Sequence, residues 1–164
     1  MAFKCETFTA LNTQTLFSIM RGRVEVFVVE QMCPYPELDD NDIAPSTLHI
    51  YTVKNNTLQA YARCYEKNAK YSAIGRVLVT KEERGRGLAQ QLVTEAINCC
   101  KSQWPERDIY IGAQTYLLEF YRSFGFESIN AEYLEDGIAH QDMVLQLGRV
   151  DLCGMKNKQH EDKV

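Results

Sequence analysis

No excess of positive charge marks this chain: across 164 residues, 18 lysines and arginines face 22 aspartates and glutamates, a formal net charge of −4. Phosphate neutralisation needs a basic surface, so a nucleic-acid partner is not expected. No apolar run approaches the length of a bilayer-spanning helix, and the opening Met1-Ala2-Phe3-Lys4-Cys5-Glu6 has no signal-peptide core, so no membrane partner is expected. The six cysteines (Cys5, Cys33, Cys64, Cys99, Cys100, Cys153) form no C-x-x-C, which argues against a zinc centre of ordinary spacing, and no metal is expected. Internal repeats and low-complexity linkers are missing too. What is left is an ordinary mix, 45% hydrophobic and 24% charged, at the length of one domain. The expectation is a cytoplasmic protein with reduced thiols. Residues 1–148 form its single domain, and the charged tail 149–164 is expected to be flexible.

Periodicity outlines the elements. Lys4 to Phe8 reads as a strand. After Asn12-Thr13, which can cap a helix start, Leu16, Phe17, Met20, Val24, Phe27 and Val28 recur at helical spacing, with Gly22 expected to loosen or bend the helix. Pro34 and Pro36 stop it. Glu37 to Pro45, with Asp39, Asp40 and Asp42, reads as an exposed acidic loop. It is a stretch that either is simply solvated or lines a cleft attracting a cationic amine. His49 to Val53 and Leu58 to Tyr65 flank Asn55-Asn56, a pair suited to a tight hairpin, and Ile74 to Val79 is a third strand. Leu88 to Cys100 is an amphipathic helix, Asp108 to Ile111 a short strand, and Thr115 to Phe124 a helix. Phe126 to Tyr133 and His140 to Leu147 make a final hairpin. The order is βαβββαβαββ, an α/β domain.

The chemistry concentrates between Val79 and Leu88, in Thr80-Lys81-Glu82-Glu83-Arg84-Gly85-Arg86-Gly87. Amides at a helix start point outward unpaired, the helix dipole adds positive potential, and glycines let an anion approach them. Lys81, Arg84 and Arg86 reverse the overall charge locally. A Walker loop would end Gly-Lys-Ser/Thr where Gly87-Leu88-Ala89 stands, and a dinucleotide fingerprint would carry glycine where Gln90 stands. Taken alone, the segment is either a phosphate cradle or a flexible helix start with solvated arginines.

Arg84-x-x-Gly87-x-Ala89 after a strand resembles the pyrophosphate loop, Q/R-x-x-G-x-G/A, of the GNAT acyl-CoA N-acyltransferases. Gln114 to Phe126 resembles the second motif of that family, in the right order with the right elements between. Phe27-Val28-Val29-Glu30-Gln31-x-Cys33-Pro34-Tyr35, Tyr61-Ala62-Arg63, Ile74-Gly75-Arg76-Val77, Gly112-Ala113-Gln114 and Glu135-Asp136-Gly137-Ile138-x-His140 are similar to its ElaA-like branch. The resemblance implies the GNAT fold, a mixed central sheet with splayed strands flanked by helices. It also implies an N-acetyltransferase using acetyl-CoA as co-substrate.

Several residue roles are implied in the same way. Leu78 and Val79 would bind pantetheine through their backbone, and Arg84, Gly85, Arg86, Gly87, Leu88 and Ala89 would hold the pyrophosphate. Gln114 stands where many relatives carry Asn against the cofactor. Tyr121 matches the tyrosine that protonates the departing thiolate, a task suited to a phenol whose ordinary pKa near 10 keeps it protonated at neutral pH. For the general base Glu30 comes first, with His140 and His49 behind it. The acceptor is a primary amine, on a small molecule or a protein, and a homodimer stays open. Two other readings compete: a non-enzymatic acyl-CoA-binding or regulatory module on the same fold, and, more distantly, a cysteine hydrolase pairing Cys33 or Cys64 with His49 or His140.

Overall fold

The computed structural model describes residues 2–148. The expected C-terminal tail, with Cys153 and His160, lies outside them. The elements are β1 (Lys4–Glu6), α1 (Thr13–Arg23), β2 (Leu48–Lys54), β3 (Thr57–Glu66), β4 (Tyr71–Val79), α2 (Leu88–Gln103), β5 (Asp108–Gln114), α3 (Leu118–Arg122), β6 (Glu127–Ser128), β7 (Tyr133–Glu135) and β8 (Ile138–Leu145). One eight-stranded sheet runs β1-β2-β3-β4-β5-β8-β6, and β7 also pairs with β8. It is antiparallel except where β4 meets β5.

The Asn12 side chain accepts from the Thr15 amide at 2.8 Å, capping α1 as its residue type suggests. Gly22 does not end α1. A Cβ there would lie 2.5 Å from Leu58 Cδ2, so glycine lets the helix settle directly on β3. The chain then widens into a π-helical segment, Val24–Glu30, which carries the helical spacing on past Val28. Apolar residues of α1 and this segment (Ile19, Val26) pack with Tyr51, Leu58, Tyr61 and Leu78 on one sheet face. On the other face α2 buries Leu88, Leu92, Val93, Ala96, Ile97 and Cys100 against Ala60, Ala62, Cys64 and Ile74. The first strand expected in the final hairpin is split into two short ones, β6 and β7, both paired with β8, because the chain turns between Ser128 and Tyr133.

The departure that matters most is the acidic segment. Glu37 and Asp42 are buried, not solvated. Arg23, fully buried, donates to Glu37 Oε1 at 2.7 Å and to Asp42 at 2.6 and 3.2 Å. Arg63 donates to both Asp39 oxygens (2.7 and 3.1 Å) and to Asp42 at 2.8 Å. Arg76 donates to Glu37 Oε1 at 3.0 Å and to the Glu37 carbonyl at 3.1 Å. Three guanidinium groups thus face three carboxylates, and the loop is strapped to β3 and β4. Burial pushes the Asp42 carboxyl up, but hydrogen bonds from Arg23, the Asp39 amide and Arg63 outweigh it and hold it at about 2.

Arg76 has φ +54°, a left-handed conformation rare for a side chain of this size. It lies where the β3–β4 register slips: Tyr61 faces Leu78, but Arg63 faces Gly75, so β4 carries one extra residue. β4 and β5 pair only from Tyr71↔Asp108 to Ala73↔Tyr110 and then diverge. The bulge bends β4 away from β5, and a gap opens between them.

Removing one partner of a buried ion pair strands the other charge, so Arg23→Ala is expected to lower the unfolding free energy by about 3–5 kcal/mol in urea titrations. The folded Asp42 carboxyl sits below its unfolded value near pH 4. Its contribution is therefore complete above about pH 4 and lost as pH falls toward about 2. The stability gap between the wild type and Asp42→Asn should be constant near neutrality and close across that acid window; a gap independent of pH would contradict the network.

Candidate active site

The gap between β4 and β5 is the floor of a cleft of about 740 Å³, within the usual range for ligand sites. Its lining includes Ile74 to Val79 of β4, Tyr110 to Gln114 of β5, Glu30 and Gln31, Arg84, Ala89, Tyr121, and Tyr133 and His140 from the last strands. Beyond Ala73 the β5-facing backbone groups of β4 have no partner strand among the described residues, leaving N–H and C=O groups, apart from the Val79 carbonyl that Arg84 occupies, for a ligand that carries amides.

At one end stands the glycine loop. Gly85 (φ +77°) and Gly87 (φ +75°) take left-handed conformations that explain the residue type, and no side chain caps α2 at Gly87. The first amides of α2 have no intrahelical partner. Of the residues expected around a cofactor, Leu78, Val79, Arg84, Ala89, Gln114 and Tyr121 line the cleft, while Gly85, Arg86, Gly87 and Leu88 stand beside it in the loop and helix start. Leu88 turns its side chain into the core. The expected positive reversal is partly neutralised. Arg84 makes a bidentate pair with Glu30 (2.5 and 3.0 Å) and donates Nε to the Val79 carbonyl at 3.0 Å, and Arg86 pairs with Glu83 at 3.2 Å. The hydrogen bonds from Arg84 hold the Glu30 carboxyl below its ordinary value.

Tyr121 comes from α3 and is buried, edge-on to Phe120 and Phe126 with ring centroids at 5.1 and 6.0 Å. Burial, with a smaller contribution from Tyr116, pushes its phenol above its ordinary value, so it stays protonated well beyond neutral pH. Gln114, at the end of β5, reaches across the cleft to Gln31 Oε1 at 3.3 Å.

The opposite end is built on one face of β5 and β8, where Tyr110, Gly112 and Gln114 alternate beside His140 and Asp142. Tyr110 and Tyr133 each donate a hydroxyl to Asp142 Oδ1 at 2.6 Å, and Asn130 Nδ2 donates to Oδ2 at 2.9 Å. With both protons committed to Asp142, the phenol oxygens keep lone pairs for an N–H donor. Gly112 lies between them: a Cβ there would meet Tyr133 Oη at 3.5 Å and Asp142 Oδ1 at 3.8 Å, ordinary contact distances, so nothing in the protein itself demands glycine there. His140 is buried and stacked on Tyr133, centroids 6.0 Å apart; its Nδ1 lies 2.7 Å from the Ile138 carbonyl. A carbonyl only accepts, so Nδ1 carries the hydrogen and Nε2 is left as the acceptor in the neutral ring.

His49 belongs to the structural network instead, between the Tyr61 hydroxyl (2.7 Å) and the Asp42 carbonyl (3.0 Å), and burial pushes its imidazole down. The Cys33 thiol meets the Asp136 carbonyl at 3.4 Å and Cys64 meets the Ala96 carbonyl at 3.5 Å; both are buried, and neither bonds a histidine. A cysteine–histidine hydrolase is not assembled. Among the described residues no group of three or more His, Cys, Asp and Glu side chains is arranged to hold a metal, and no helix is long and apolar enough to cross a membrane.

Sequence reasoning missed Tyr110, Gly112, Tyr133 and Asp142. The period-two alternation Tyr110-x-Gly112-x-Gln114 was the available signal, and β5 read as ending at Ile111 hid it.

The profile of the Acetyltransferase (GNAT) domain matches residues 14–147. Protein ElaA of Escherichia coli is 39% identical over 139 residues, 84% of this chain and 91% of that protein. A UPF0039 protein of Schizosaccharomyces pombe is 36% identical over 148 residues, covering 90% of this chain and 98% of its own. The crystal structure of E. coli ElaA superposes with a TM-score of 0.85 at 36% identity, covering 89% of this chain and all of that one. An acyl-CoA N-acyltransferase from Pseudomonas aeruginosa follows at 0.83 and 34%, covering 87% and 97%.

Proposed function

Since this chain belongs to the GNAT acetyltransferase family, we propose that it is an N-acetyltransferase that moves an acetyl group from acetyl-CoA directly to a primary amine. The observation that carries the reading is the cleft itself: an unpaired β4 edge runs from Ile74 to Val79 between the α2 helix start and the buried phenol of Tyr121. That edge suits the amide-bearing pantetheine arm, and the amides of Gly85 to Ala89 with Arg84 suit its pyrophosphate. The bound thioester supplies an activated acyl carbon.

His140 Nε2 takes the proton from the acceptor ammonium, since its Nδ1–H is held by the Ile138 carbonyl and Nε2 is the ring nitrogen left to accept. Glu30, the first expectation for this role, has its carboxylate committed to Arg84 and held below its ordinary value, which makes it a weaker base; it belongs to the cofactor end. The amine nitrogen forms a bond to the acyl carbon, the carbon–sulfur bond breaks, the Tyr121 hydroxyl gives its proton to the leaving thiolate, and the second proton released by the acylated nitrogen restores the Tyr121 hydroxyl. The acceptor ammonium sits over Gly112 and donates to the lone pairs of Tyr110 and Tyr133, whose protons Asp142 holds away from it.

An acetyl-transfer assay over polyamines, aminosugars, amino acids and lysine peptides, read by thiol release, is expected to find an acceptor. With that acceptor, Tyr121→Phe and His140→Gln should each lower kcat by roughly 10²–10⁴-fold while keeping the rise in Tm on adding acetyl-CoA. A Tm rise with no transfer to any amine would instead support a cofactor-binding module; full activity in either variant would remove that residue from its role.

Gly112→Ala should fold normally, keep the cofactor-dependent Tm rise, and raise KM for the amine about tenfold or more by filling the seat. An unchanged KM would place the acceptor elsewhere.

A further inference from the structure

Far from the cleft, two thiols meet. Cys5 lies on β1, at the free edge of the sheet, and Cys99 on α2; their Sγ atoms are 3.0 Å apart although 94 residues separate them. Cys5 is exposed and Cys99 half-buried, so the pair faces solvent, whereas Cys64 and Cys100 behind it are buried. A disulfide brings its sulfurs to about 2.05 Å. The two sulfurs are already in contact, so closure brings them together by about one ångström.

We propose that Cys5 and Cys99 are an oxidation site, a thiol pair that a peroxide converts to a disulfide tying β1 to α2. The hydrogen bond from Cys99 favours the Cys5 thiolate, outweighing burial and the nearby Cys100, Glu95 and Glu6, and the same contact together with burial pushes Cys99 up. Cys5 is therefore the sulfur that reacts first. Its thiolate attacks one oxygen of hydrogen peroxide: a sulfur–oxygen bond forms, the oxygen–oxygen bond breaks, and the hydroxide that leaves takes up the proton the Cys5 thiol gave up and becomes water, while a sulfenic acid remains on Cys5. The Cys99 sulfur then attacks the Cys5 sulfur; a sulfur–sulfur bond forms, the sulfur–oxygen bond breaks, and the second oxygen leaves as water with the Cys99 proton. Two thiols are oxidised and one peroxide is reduced to two waters. The bridge closes a long loop of the unfolded chain and fixes an otherwise short edge strand to the helix that begins at the glycine loop.

The test treats the full chain with a stoichiometric amount of hydrogen peroxide, blocks remaining thiols with a maleimide, and maps peptides without reduction, with fragmentation that separates Cys99 from Cys100. The expected product is lighter by two hydrogens and carries a Cys5–Cys99 link. Its Tm should be higher by about 5 °C or more, and a reductant should restore the starting value. Cys5→Ser and Cys99→Ser should each abolish the link and the shift, while Cys33→Ser keeps both. A link through Cys100 or Cys153, stable oxidation of Cys5 to sulfinic acid without a link, or no oxidation at either residue would each overturn the proposal. The readout does not depend on acetyl transfer.

Discussion

The bulge at Arg76 is the constraint on which the cleft depends. A left-handed arginine inside a strand costs on the order of 1–2 kcal/mol, and it persists because its guanidinium is tied to the side chain and carbonyl of Glu37. Glu37 is fixed in turn by Arg23, and Arg23 by Asp42, which Arg63 shares. One buried network therefore bends β4, straps the Glu37–Asp42 loop over it, and brings Tyr35 and Asp39 to the cleft wall. Without the bend, β4 would have no reason to stop pairing with β5 at Ala73, and the unpaired edge would not exist.

That edge divides the cleft into two chemically different ends. Toward α2 stand the free amides of the helix start, beside Arg84, whose guanidinium Glu30 holds. Toward β8 the acceptors dominate: the phenol oxygens of Tyr110 and Tyr133, oriented by Asp142, and His140 Nε2. Donors suit a polyanion and acceptors suit an ammonium, so opposite ends of one gap fit the opposite charges of two substrates. Tyr121 lines the same cleft from α3, in an apolar setting of Phe120 and Phe126 that keeps its proton in place.

Most of the fold and the donor end were legible because their signals are local. Gly85 and Gly87 before an amphipathic helix, and Tyr121 within an aromatic helix, are patterns of neighbouring residues. The acidic segment misled for the complementary reason. Glu37, Asp39 and Asp42 beside prolines look solvated, but Glu37 and Asp42 are buried, and the arginines that hold all three lie 14 to 39 residues away in the chain. No window over the segment contains both halves of the network. The acceptor end failed similarly, since Tyr110, Tyr133 and Asp142 meet only once β5, β7 and β8 are paired. Gly22, expected to loosen or bend α1, is also a point of close contact, and a glycine's packing partner cannot be read from its own helix.

The unpaired β4 edge and the start of α2 are the surfaces we propose to receive the acyl-CoA arm. Hydrogen–deuterium exchange of the full chain with and without coenzyme A tests that placement most directly. The expected result is slower exchange confined to the segments Ile74–Val79 and Arg84–Gln90, with β2 unchanged as the internal reference. Exchange unaltered in both segments at saturating coenzyme A, or protection appearing elsewhere in the sheet, would place the cofactor elsewhere.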